Sequence, residues 1–122
     1  MNPILGLYGL LLLLQTLHIF EEIGMEAYKP VGSLKKYLRV ASVLVAVNYV
    51  PLFLMLYAVP AGYWLACGGA LLGIGNGVIH IVGYLKSKRF RGTLGAGMFT
   101  GIPLGLTGCV LLYRLVSFLL FR

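Results

Sequence analysis

Apolar residues fall into four blocks along the chain, at roughly 3–21, 39–59, 62–85 and 93–113, with charged positions gathered between them. A hydrocarbon core about 30 Å thick takes about 20 residues of apolar helix to cross, so each block predicts one transmembrane helix. In the first helix Gln15, His18 and Glu22 fall at i, i+3 and i+7, on one helical face. Glu21 lies about 60° to the side at 100° per residue, so either carboxylate reaches the same space. Gly24, Pro30, Gly32 and Ser33 then break the pattern into a loop, with Tyr28 as a headgroup anchor. In the second helix Asn48 stands three residues before Pro51, and a proline at membrane depth frees a carbonyl, bends the helix and can open a cavity. Gly69, Gly73 and Gly77 in the third helix, and Gly97, Gly101 and Gly105 in the fourth, repeat every four residues, interrupted by Pro103. That spacing lets backbones approach closely and predicts tight packing of helices three and four.

The composition agrees with this reading. Of 122 residues 60% are hydrophobic and 11% charged, with a mean hydropathy of +0.95, which excludes a soluble domain. The expected architecture is an all-α integral membrane four-transmembrane-helix bundle, a single transmembrane domain over residues 1–122. The first block has no basic start and no small-residue cleavage site, and it ends on Glu21 and Glu22, so it reads as a span, not a signal peptide. The net charge of +7 is not the footprint of a nucleic-acid binder, because of where it lies. Lys29, Lys35, Lys36 and Arg39 precede the second helix, and Lys86, Lys88, Arg89 and Arg91 separate the third and fourth. The Pro60-Ala61-Gly62 connection is uncharged. The positive-inside rule then predicts cytoplasmic basic loops, both termini outside (N-out/C-out) and a multi-pass protein of the inner cell membrane. Arg114 and Arg122 oppose this weakly. The loops read chiefly as orientation signals in contact with anionic membrane lipids, with phosphate binding by Arg89 or Arg91 the lesser reading. Cys67 and Cys109 read as small packing residues, since sequence does not establish a bridge between them.

Ionisable groups at membrane depth are costly and read first as functional sites. The two histidines of the chain, His18 and His80, both fall inside apolar blocks. His80 lies about 9 Å inside the basic boundary set by Lys86, Asn48 about 13 Å from Arg39, and Thr100 at a similar level from Arg91, at 1.5 Å per residue. Asn76 is one turn deeper than His80 and Tyr84 one turn shallower. Gln15, His18, Glu21, Glu22, Asn48, Asn76, His80, Tyr84 and Thr100 are thereby predicted to share one layer. Two imidazoles and a carboxylate suit a divalent metal, zinc first, iron or manganese otherwise, and leave a position open for water. The expected ligands are His18, Glu22 and His80, in a mononuclear site. The same residues without metal could exchange protons as acid and base.

The order His18-Ile19-Phe20-Glu21-Glu22, with Pro30 a short way on and then Asn76-Gly77-Val78-Ile79-His80, resembles the HXXEE domain family. Its members are small integral membrane proteins of bacteria and archaea that pair these two motifs. The resemblance covers about Leu10 to Leu112. It implies a membrane-embedded enzyme whose site uses His18, Glu21, Glu22, Asn76 and His80.

The first functional expectation is a metal-dependent, hydrolytic membrane enzyme acting on a lipid or isoprenoid-like substrate from the cytoplasmic leaflet. Glu21 would be general base, Asn76 would orient His80 or substrate, and Gln15, Asn48, Tyr84 and Thr100 would contact substrate. A metal-free acid/base isomerase or cyclase uses the same groups. A small proton-coupled transporter working as a homodimer is the alternative from another class, with the glycine stripes at its interface. A structural subunit of a larger membrane complex is the third.

Overall fold

Helix starts in this chain are set by caps and turns rather than by hydropathy. In the computed structural model, which describes residues 2–121, Asn2 Oδ1 accepts from the Ile4 amide at 3.0 Å ahead of α1 (Pro3–Gly24). Ser33 Oγ accepts from the Lys36 amide at 3.2 Å ahead of α2 (Leu34–Leu56), after a short 3-10 turn at Lys29–Val31. Pro60 opens α3 (Pro60–Ser87), where its missing N–H costs nothing. α4 (Met98–Leu120) follows Gly97, whose φ of +85° is in the left-handed region. The helices therefore depart from the apolar blocks. α2 begins at Leu34 and carries Lys35, Lys36 and Arg39 in its first turns, because long basic stems reach water from a helix end. α4 begins at Met98 and not near 93, because Thr93–Gly97 forms tight turns. Arg114 is exposed on α4 and does not end it. Arg122 lies outside the described residues.

Each of the four helices is long and apolar enough to cross a membrane. Only 17% to 33% of their most apolar windows is buried within the bundle, and an exterior so apolar suits hydrocarbon, whereas in water it would aggregate. The helices form a ring in which α1 packs on α2 and α4, and α3 on α2 and α4. Tyr8, Leu11, Leu104, Leu111 and Leu115 are fully buried and fill the core.

The α3–α4 contact is the most extensive, and glycines make it. A Cβ on Gly77 would stand 2.8 Å from Gly101 O, and one on Gly108 2.7 Å from Ala70 O, distances that only backbone without side chains permits. Two of the six expected glycines serve elsewhere. Gly69 makes room for Tyr8 Oη (2.8 Å) and Asn48 Oδ1 (2.9 Å), and Gly97 faces the histidines. Cys67 and Cys109 are free thiols, and Cys109 is exposed on α4 instead of packed inside.

Both basic connections meet at one end of the bundle. Gly92 N donates to Met25 O at 2.7 Å, and Glu26 pairs with Lys29 at 2.5 Å and Arg91 at 3.4 Å. The Lys29 ammonium, then the Arg91 guanidinium, hold the Glu26 carboxyl below its usual range. A groove of about 650 Å³ opens between α2 and α3 where Pro51 lies in the α2 wall, as the sequence led us to expect of that proline.

Candidate metal centre

His18 of α1 and His80 of α3 meet edge to face, with ring centroids 4.7 Å apart. Both are buried, at 2% and 3% exposure. Glu22, one turn after His18, reaches between them. Its Oε1 is 3.1 Å from His80 Nε2 and 3.7 Å from His18 Nε2. The three atoms all lie within 4.8 Å of one another.

The outer nitrogen of each ring is anchored. Leu94 O lies 2.6 Å from His80 Nδ1, and a carbonyl only accepts, so Nδ1 carries the hydrogen. Thr100 Oγ1 lies 2.9 Å from His18 Nδ1 and donates its own hydrogen to Glu21 Oε2. Thr100 therefore accepts from His18 Nδ1. Both rings therefore turn Nε2 toward Glu22, a contact that needs a proton or a cation between the nitrogen and the carboxylate oxygen. Among the described residues, His18 Nε2 is the only buried side-chain nitrogen or oxygen without a hydrogen-bond partner. Such an orphan costs about 1–3 kcal/mol, a cost that a ligated ion removes.

The backbone is shaped around this cluster. A Cβ on Gly83 would lie 2.6 Å from the Leu94 carbonyl carbon, so glycine there lets the Leu94 carbonyl close on His80. The 88–97 connection is tied back by Ser87 and Thr93 hydroxyls, Thr93 Oγ1 donating to Arg89 O at 2.7 Å. A Cβ on Gly97 would meet His18 Cε1 at 2.8 Å, Glu22 Cγ at 3.1 Å and His80 Cε1 at 3.2 Å.

The remaining expected site residues divide. Glu21, read above as general base, accepts from Phe99 N at 3.2 Å, Thr100 N at 2.8 Å and the Thr100 hydroxyl. It caps the start of α4 from another helix, satisfying amides that the Gly97 cap leaves open. Thr100, read as a substrate contact, holds His18 in place. Gln15 and Asn76 line a cavity of about 170 Å³ beside His18 and Glu22, and neither amide has a partner among the described residues. Asn48 lies deeper and outside this cavity, with Nδ2 donating to Leu44 O at 2.9 Å and its carbonyl accepting from Tyr8 Oη at 2.8 Å. The early start of α2 moves it about 21 Å from that helix's first turn, counting from Leu34 at 1.5 Å per residue. The Tyr84 ring stacks on Phe90 at 4.5 Å and does not line the cavity.

Tyr37 was not foreseen. Its hydroxyl donates to Glu22 Oε2 and its ring walls the same cavity. The signal was the Ser33 cap, which starts α2 early enough to place Tyr37 one turn inside the helix.

Two imidazole nitrogens and one carboxylate oxygen form a donor set that zinc accepts with a fourth position open, and iron or manganese also accept it. Hydrogen bonds from the far ring nitrogens to a carbonyl and to a carboxylate-bound hydroxyl are the usual supports of metal-ligating histidines. No family model, curated protein or solved structure matches the chain, so the assignment rests on these residues.

Proposed function

We propose that this chain is a membrane-embedded, metal-dependent hydrolase acting on a lipid or isoprenoid-like substrate from the cytoplasmic leaflet of the inner cell membrane. His18, Glu22 and His80 hold one divalent ion, zinc first. The observation that carries the reading is His18 Nε2, buried without a hydrogen-bond partner and sharing a 4.8 Å cluster with His80 Nε2 and Glu22 Oε1. The chemistry that an ion held there supplies is Lewis-acid activation of water or of a substrate oxygen. Thr100 and Leu94 O orient the imidazoles, Tyr37 fixes the second oxygen of Glu22, and the free amides of Gln15 and Asn76 bind substrate oxygens. Positive-inside orientation puts the centre near the inner leaflet surface. Membership of the HXXEE family, carried by the His18 to Glu22 and Asn76 to His80 motifs, belongs to this proposal.

The test is elemental mass spectrometry on protein purified in detergent. About one zinc, iron or manganese per chain, lost in His18→Ala and His80→Ala, supports the centre. Protein that stays metal-free after incubation with zinc overturns it. The metal-free acid/base reading then takes its place, since Glu22 Oε1 and His80 Nε2 at 3.1 Å are already at proton-exchange distance.

A further inference from the structure

Three cavities lie in line along one side of α2. The first, of about 280 Å³, opens at the basic end between Lys36, Tyr37 and Val40, with Glu22 in its wall. The second, of about 170 Å³, shares Tyr37, Val40 and Glu22 with the first and adds His18, Gln15 and Asn76. The third is the 650 Å³ groove between α2 and α3, which shares Asn76 with the second and runs on past Pro51 and Leu65. From Lys36 to Pro51 the track is about 22 Å long at 1.5 Å per residue.

The chemistry along the track changes in order. Lys36 at the mouth is exposed and has no ion-pair partner among the described residues. The middle holds unpartnered amides and the wall residue His18, whose buried Nε2 has no hydrogen-bond partner. Beyond Asn76 the walls are apolar except for Asn48, whose amide is already turned to Leu44 O. Gly68 and Gly75 line this last stretch, and a Cβ on either would meet nothing within 4 Å. Gly77, by contrast, is needed against α4. Helix packing does not account for Gly68 and Gly75, whereas a groove kept clear of side chains does.

We infer that the track seats a single-chain amphiphile, with its anionic head at Lys36, its apolar tail along the α2–α3 groove and its scissile bond beside His18, Glu22 and His80. This rests on the hydrolase reading above. Water is the co-reactant. Its hydroxyl joins one fragment and its proton the departing oxygen of the other, so no oxidant or further donor is needed. The cavity lined by His18 and Glu22 shares Asn76 with one apolar groove, which has the form of a seat for one tail. Gly68 and Gly75 thereby become determinants of tail length.

The probe is hexadecyl phosphonate carrying a diazirine at the tail end, whose carbon–phosphorus bond resists hydrolysis. It is photolysed with zinc-loaded protein in phosphatidylcholine vesicles, and labelled residues are mapped by mass spectrometry. Label concentrated on Pro51, Leu65 and Leu72 is expected. Gly75→Leu and Gly68→Leu should each cut that label severalfold and Lys36→Gln should reduce loading, all with zinc content unchanged. A Cβ at position 68 or 75 meets nothing within 4 Å, so neither change puts a Cβ against a neighbouring helix. Label spread evenly over outward residues such as Leu13, Val43 and Leu106 overturns the inference, as does groove labelling indifferent to Gly75→Leu. Cross-links between copies through α2 and α3 also overturn it, since a second chain then fills the groove. Zinc content separates the two readings. Zinc-loaded protein with scattered label loses the track and keeps the centre, whereas zinc-free protein with a labelled groove loses the hydrolase and keeps an amphiphile site.

Discussion

His18 and Thr100, 82 positions apart, are joined by a 2.9 Å hydrogen bond that decides which nitrogen of His18 faces the cluster. The Thr100 hydroxyl has one hydrogen and gives it to Glu21, so it can only accept from His18 Nδ1. Thr100→Val keeps the shape and removes this acceptor. Removing such outer supports typically weakens metal binding about 10- to 100-fold. Chelator competition should show that loss in Thr100→Val and near-normal affinity in Thr100→Ser. Equal affinity in both would mean the bond does not orient the ring.

The adjacent glutamates should separate cleanly. Glu22→Gln is expected to lose the ion, because it changes a donor atom of the cluster. Glu21→Ala is expected to keep most of the ion and lose about 1 kcal/mol of stability, the usual scale of a helix cap. Elemental analysis and thermal unfolding of the two variants read this directly. The reverse pattern would return Glu21 to the centre.

Gly97 and Gly101 make a second matched pair. A methyl at Gly97 would crowd His18, Glu22 and His80 at 2.8 to 3.2 Å and would have to adopt a φ of +85°. A methyl at Gly101 would meet the histidine rings at an ordinary 3.5 Å. Gly97→Ala should lose bound ion and unfold at lower temperature, and Gly101→Ala should resemble the parent in both. A tolerated Gly97→Ala would mean that the cluster can shift.

Glu26 gives a pH prediction of small size. Lys29 and Arg91 lower its carboxyl below the ordinary 4.5. Any stabilisation is therefore present above that value and is lost as pH falls through the lower folded one. The group is partly exposed, its two partners are exposed, and salt screens such pairs. Glu26→Gln should therefore lower the Tm only slightly at neutral pH, and the difference should vanish as acid protonates Glu26 in the parent. A large fall at neutral pH would show that the link between the two basic connections carries the fold.

The chemistry of the site was legible because hydrocarbon makes polar residues conspicuous. Gln15, His18, Glu22, Asn76 and His80 stand out against their apolar neighbours, and counting turns from the basic boundary puts them at comparable depth. Counting failed where helix ends were needed. Counting from Arg39 puts Asn48 too shallow because α2 starts at Leu34, and Thr100 reaches His18 from the first turn of α4, not from nine residues within a helix. Hydropathy reports which residues tolerate lipid, whereas caps and turns decide where a helix begins.

The sequence by itself determined four apolar helices, basic connections grouped at one end, and glycine stripes that let the last two helices pack closely. These follow from composition and spacing, which act locally along the chain. Only the tertiary structure decided that Glu21 caps α4 while Glu22 joins the histidines, that Tyr37 belongs to the cluster, and that Gly97 must be bare. Those outcomes depend on rotations of one helix against another. Neighbouring glutamates about 100° apart on a helix face different partners, and only the packed bundle says which.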